Sequence, residues 1–296
     1  MRILVCSKLD LPGVMALNAA ARALAGHDLH FLLSDRVTEL ERRDPGLAEL
    51  MFFERDLPVE HFFPALDRAC FDPDDMPACH TVAGLTRYLG IPVWLRGDVN
   101  QPETVEEIKA LAPDVILSAR YEWIFKDAVL AIPKYGLYNV HPGELPGYGG
   151  VFAPFRAAMN GEKHAAATLH VIDQGLDTGP IVGIARAPFI PGRSILACTA
   201  SLYPLGIAMF RDILPVIEVG ETVPTTPQDP ALRRYYSFPT GPEFQILAEA
   251  GVKIINHPEY RHILSQFEPR SQSLQTCGDQ KNDGPSGVSF SVRGGA

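Results

Sequence analysis

Arg2-Ile3-Leu4-Val5-Cys6, then Val14 to Ala25, then Gly26, then Leu29 to Leu33 form the stretch that sets the architecture. The first and last of these are short apolar runs of strand length. The alanine- and leucine-rich segment between them has helical composition and stops at a glycine, the residue that most readily ends a helix. Strand, helix, strand in that order implies two parallel strands joined by a crossover. The pattern returns at Ile91 to Leu95, a helix from about Glu103 to Leu111, Val115 to Leu117, a helix from about Ile124 to Ile132, and a strand from Tyr135 to Val140. An α/β chain with an open, doubly wound, mostly parallel sheet is expected. Such sheets bind ligands beyond the carboxyl ends of their strands.

Outward from this frame, residues between Asp35 and Gly90 read as helices with an elaborated loop. Phe155 to Met159 are helical in composition, and Ala166 to Ile172 and Ile181 to Phe189 read as strands that pair as a hairpin across a wide loop. Ser194 is placed to cap a helix running toward Leu214, which Pro204 should kink or interrupt. From Glu268 on, Ser, Gln, Gly and Asp replace apolar residues, the composition of a disordered tail. The expected domains are 1–190 (catalytic), 191–267 (a small C-terminal helical extension) and 268–296 (tail).

With 296 residues and 46% hydrophobic content, the chain can bury a full core. A formal charge of −9 argues against a general phosphate-backbone binder, because that binding draws its main term from a basic surface. No apolar run approaches bilayer-spanning length, and the N-terminus enters a strand directly, which is read as cytoplasmic. Cys6, Cys70, Cys79, Cys198 and Cys277 are odd in number and lack paired short spacing, which disfavours a disulfide framework and a metal cluster at Cys70, Cys79 and His80.

Two polar knots carry the chemistry. In Tyr138-Asn139-Val140-His141-Pro142-Gly143-Glu144-Leu145-Pro146, an amide and an imidazole two residues apart share one face of a strand end. Asp173-Gln174-Gly175-Leu176-Asp177-Thr178-Gly179-Pro180 can bring a carboxylate to them. His170 and Thr168, alike in parity at the preceding strand end, either line the same site or serve the core. Lys8 and Asp10, at the end of the first strand, are either acceptor contacts or solvated loop residues.

These segments, with Tyr148, Gly150, Asn160-Gly161-Glu162 and Thr168-Leu169-His170, resemble the formyltransferases that use N10-formyltetrahydrofolate: the glycinamide ribonucleotide, methionyl-tRNA and amino-sugar enzymes. The resemblance covers roughly residues 110 to 185. It implies a Rossmann-like formyltransferase fold and a catalytic Asn, His and Asp at Asn139, His141 and Asp177, with Asp173 as the rival carboxylate. It places the folate pocket at Tyr121, Trp123, Ile124 and Phe125, then Val171, Ile172, Asp173 and Gly175. On composition alone the aromatic residues are ordinary core. In the implied chemistry Asn139 donates to an oxyanion, His141 stabilises the same charge, and Asp177 holds His141 and relays a proton.

The sequence departs from the family at Gly143, Glu144 and Gly149. Gly143 is expected to loosen its loop and Glu144 to add charge near the acceptor, so a different acceptor is implied. Ser7 to Gly13 is no phosphate cradle, and the residues after the core are not basic. The expected acceptor is therefore a small amine, amino sugar or hydroxylamine-type metabolite, with no nucleic acid, no membrane and a homodimer left open. Arg233 to Pro239 either contact the acceptor or lie along the surface. The alternatives are hydrolysis of 10-formyltetrahydrofolate and folate binding without catalysis.

Overall fold

The computed structural model describes residues 1–269 and 275–276. Strand β1 (Arg2–Lys8) is buried from Ile3 to the end, and its side chains alternate between two apolar layers. Ile3 and Val5 enter one, Leu4 and Cys6 the other. A strand apolar on both faces must be covered on both, which is the physical demand behind a doubly wound sheet. Helix α1 (Leu11–Ala23) covers one face and returns the chain to β2 (Asp28–Ser34), parallel to β1. α1 begins at Leu11, ahead of its alanine-rich part, because the Asp10 side chain accepts a hydrogen bond from the Gly13 amide at 2.8 Å.

After helices that occupy much of 39–67 and Val82–Leu89, the chain adds β3 (Val93–Leu95), α2 (Pro102–Leu111), β4 (Val115–Ala119) and β5 (Leu137–His141). The hairpin follows as β6 (His164–Val171) and β7 (Ile181–Pro188). The sheet order is β3-β2-β1-β4-β5-β6-β7, with the first five parallel and the last two antiparallel.

The expected helix from Ile124 to Ile132 contracts to a single turn, α3 (Asp127–Leu130). The cause is Asn100, whose side chain donates to the Ile124 carbonyl at 2.8 Å and accepts from the Lys126 amide at 2.9 Å. Those backbone groups are thereby taken out of helical pairing. Residues 121–125 stay irregular and free to form a wall.

Downstream come α4 (Ala153–Met159) and α5 (Ile195–Glu218). Ser194 caps α5 as expected, yet the helix runs straight through Pro204 and Pro215. Leu202, Tyr203, Ile207, Phe210 and Leu214 are buried in the main core, and that burial outweighs a proline cost of about 3 kcal/mol. At Gly206 the helix lies so close to the sheet that a Cβ would fall 2.1 Å from Val140 Cγ1. α5 packs against α1, β5, β6 and β7, although its position in the sequence suggests a place in the extension. It also corrects the expectation that no apolar run approaches bilayer-spanning length: α5 does so by length and composition, but its apolar side chains serve the core. Two further helices, α6 (Gly241–Glu249) and α7 (His257–Ser265), follow. Most of the tail expected to be disordered lies outside the described residues.

Candidate active site

Asn139 and His141 end β5, and the antiparallel register sets Asn139 opposite His170 and His141 opposite Thr168. Directly opposed residues share a face, so β6 presents its polar pair to the polar pair of β5. The His170 ring is fixed from one side: Nδ1 donates to the Val171 carbonyl at 2.9 Å. Its Nε2 is then a lone pair, and the Asn139 amide nitrogen lies 3.2 Å from it as donor. Burial lowers the His170 pKa, with Asp177 opposing, so the ring is held neutral.

His141 is buried, and its Nε2 donates to the Tyr148 carbonyl at 2.6 Å. Its Nδ1 lies 3.6 Å from Asp177 Oδ1, and His170 Nε2 is 3.8 Å from the same oxygen. Both nitrogens of His141 thus face oxygen acceptors, a geometry that the doubly protonated ring satisfies at both ends. Asp177 Oδ2 accepts from the Gly150 amide at 2.8 Å. Burial alone would push the Asp177 carboxyl up, but His141, the Gly150 amide and the Arg233 guanidinium outweigh it and the group sits below its usual range. Asp177 also occupies the left-handed region at φ 54°, a conformation Asp tolerates better than most residues. Asp173 serves the loop instead, its Oδ1 accepting from the Gly175 amide at 3.0 Å and the Thr178 hydroxyl at 2.6 Å.

These groups open onto a cavity of about 360 Å³, within the range of small-molecule sites. Asn139, His141, Asp177, Tyr121, Trp123, Ile124, Phe125, Ile172, Asp173 and Gly175 all line it, whereas Val171 does not. The aromatic segment serves two ends at once. Phe125 is core, Tyr121 stacks on it at 5.3 Å, and Trp123 is anchored by Nε1 to the Ser34 hydroxyl while Arg36 lies 4.2 Å over its ring.

Beside these groups a charge cluster built on the buried Lys8 and Asp10, which therefore are not solvated loop residues, reaches the cavity through Lys8, Glu41, Glu54, Arg120 and Glu122. Lys8 Nζ is 2.5 Å from Glu122 and 3.2 Å from Glu41. Arg120 bonds Asp10 at 2.8 Å and Glu54 at 2.6 Å. Four carboxylates thus face two cations. Burial pushes Glu54 up to about 7 in spite of Arg120, and it raises Glu122 too.

Both departures at the β5 loop act differently from expectation. Gly143 does not loosen the loop: a Cβ there would lie 2.6 Å from both Ala153 Cβ and the Tyr148 carbonyl, and 2.8 Å from His141 Nε2. The residue is a close-packing glycine that lets His141 reach Tyr148. Glu144 adds no charge to the cavity, because Arg186 on β7 takes both its oxygens. Thr168 ties the loop from beneath, donating to the Gly143 carbonyl at 2.6 Å and accepting from the Leu145 amide at 3.2 Å. From the 233–239 segment, Tyr235 and Phe238 line the cavity.

The site has a signature in acid. An unfolded chain protonates His170 as pH falls through about 6.5, but the buried ring resists, so stability drops below that pH. The depressed Asp177 carboxyl contributes stability above about pH 3.9 that is lost as pH falls further. Thermal denaturation across pH should show both losses, and His170→Gln should remove the first while leaving the second. An unchanged profile in that variant would contradict a neutral His170.

Residues 86–208 match the formyl transferase family model. The methionyl-tRNA formyltransferase of Dictyoglomus thermophilum is 36% identical over 152 residues, which cover 51% of this chain and 47% of that protein. The chain thus spans about half the length of the curated relatives it matches. Among solved structures, a sugar 3N-formyl transferase crystallised in the presence of dTDP and 5-N-formyl-THF superposes with a TM-score of 0.52 at 17% identity, covering 86% of this chain and 83% of that one. Glycinamide ribonucleotide transformylase 1 from Symbiobacterium toebii gives 0.51 at 17%, covering 77% and 94%. These likenesses establish the Rossmann-like fold. The names of the curated relatives correct the expectation that nucleic acid plays no part, since their substrate is a tRNA.

Proposed function

We propose that this chain, which matches the formyl transferase family model over residues 86–208, transfers a formyl group from a formyl-tetrahydrofolate to an amine. One observation carries the reading: Asn139, His141 and Asp177, drawn from two separated segments, converge on one wall of a cavity whose adjoining wall is aromatic. A flat pterin requires an apolar slot with backbone groups at its edge, and residues 121–125 with Ile172 and Asp173 have that chemistry.

The amine attacks the formyl carbon, giving a tetrahedral oxyanion, and the bond to the folate nitrogen then breaks with a proton delivered to that nitrogen. Asn139 commits one side-chain N–H to His170, which leaves the second for the oxyanion. His141 directs its Nε2 to Tyr148, so what it offers is charge beside the developing oxyanion. Asp177 takes the proton released by the attacking amine, directly or through water. Positioning of two substrates supplies the rest, and no covalent enzyme intermediate is needed.

The acceptor end supports a small amine, such as an amino sugar or a hydroxylamine-type metabolite. Of the three lysine and arginine side chains lining the cavity, Lys8 and Arg120 are already paired with carboxylates, a wall suited to a polar amine. Mass spectrometry of products from a panel containing amino sugars, hydroxylated amino acids and methionyl-tRNA tests this. Formylation of a small amine is the expected result. Formylation of methionyl-tRNA alone would overturn the acceptor assignment while leaving the transfer reaction intact.

A further inference from the structure

The segment 226–238 lies beyond the matched residues 86–208, yet it is bonded to both loops of the site. Gln228 Nε2 donates to the carbonyls of Asp177 at 2.9 Å and Gly179 at 2.7 Å. Thr226 is fixed beside it by paired backbone hydrogen bonds with Ile181 on β7, at 2.7 and 2.8 Å. The Arg233 guanidinium donates to the Leu176 carbonyl at 2.8 Å. So two residues of the segment, Gln228 and Arg233, pin the loop that carries Asp177, and Thr226 fixes the segment to the strand that follows that loop.

The same segment then runs along the other loop. Arg234 donates to Pro146 and accepts from Gly149, each at 3.0 Å, and Val151 donates to Tyr236, also at 3.0 Å. The two glycines make room: a Cβ at Gly150 would lie 2.2 Å from the Tyr236 carbonyl, and Gly150 has φ +91°. Tyr236 stacks on Tyr148 at 5.9 Å with the rings 16° from parallel. This loop supplies the Tyr148 carbonyl that receives His141 and the Gly150 amide that receives Asp177.

We infer that residues 226–238 form a strap that sets the spacing of His141 and Asp177, with Gln228 as its positioning residue. Asp177 sits in a sparsely populated backbone conformation that the surroundings must impose, and Gln228 bonds the backbone on both sides of Thr178. Without those two bonds the carboxylate drifts from His141 and from the Gly150 amide. The consequence for catalysis rests on the proposed formyl transfer; the consequence for Asp177 does not.

The test uses Gln228→Leu, Gln228→Glu and the milder Arg233→Gln in the full chain. Carbon-13 NMR titration of the Asp177 carboxyl should show its midpoint rising toward the ordinary range in Gln228→Leu, and by less in Arg233→Gln. Turnover should fall by about tenfold to a hundredfold, as a misplacement near 1 Å can do, with the KM for the donor nearly unchanged. Gln228→Glu should recover partly as pH falls, since only the protonated acid can donate to a carbonyl. An unmoved Asp177 midpoint in folded Gln228→Leu would overturn the strap's role, and if Gln228→Leu does not fold, the recovery of Gln228→Glu with falling pH decides it, because losing the Arg233 charge raises the Asp177 midpoint by itself. A wild-type chain inert toward every amine, with the midpoint still moving, would instead sink the functional reading alone.

Discussion

Asn139→Ala and His141→Ala each lower turnover by about a hundredfold or more, the scale of losing one donor or charge aimed at an oxyanion. The two variants should fail differently. Asn139→Ala also strips the buried His170 Nε2 of its donor, which costs about 1–3 kcal/mol of stability. His141→Ala leaves Asp177 buried with the Gly150 amide but without the ring at 3.6 Å, so the Asp177 carboxyl should rise and the acid limb of the rate profile move with it. Because the three side chains act on one developing charge, the double variant should lose far less than the product of the singles. Steady-state rates alongside urea denaturation separate the effects. Wild-type turnover in either single variant would contradict the assignment.

Phe210→Ala destabilises the protein by about 3–5 kcal/mol, the cost of removing a fully buried aromatic ring and leaving a cavity. Phe210 projects from α5 to Tyr138, with centroids 5.6 Å apart, and Tyr138 precedes Asn139 on β5. The residue therefore reports whether α5 belongs to the core that supports the site or to a detachable extension. Leu232→Ala, at a residue 62% exposed, serves as control and should change little. A loss below about 1 kcal/mol in Phe210→Ala would contradict the packing of α5 on the sheet.

How much of this is legible in the sequence depends on distance along the chain. The parallel sheet follows from β1, α1 and β2, because each is a local pattern of apolar residues with a fixed period. Asn139 and His141 can be placed together because two residues on one strand share a face by parity alone. His170 is only half visible: parity puts it on a face, but its partner Asn139 is set by the antiparallel β5–β6 register, which pairs residues thirty-one positions apart and has no local signal. Gln228 lies about fifty positions beyond Asp177 in an irregular stretch without a motif, so nothing local announces it. Gly143 misleads for a related reason. Missing atoms in a sequence suggest slack, whereas in the fold the space is already filled by Ala153 and the Tyr148 carbonyl. Pro204 misleads in the opposite sense, since its local cost is overridden by the burial of its neighbours.

Release of tetrahydrofolate from formyl-tetrahydrofolate, followed with and without an amine acceptor while formylated product and free formate are both quantified, tests formyl transfer most directly. Release that depends on the amine and matches formylated product one for one is the predicted result. Release at the same rate without amine, with all the carbon recovered as formate, would contradict it and mark the chain as a hydrolase.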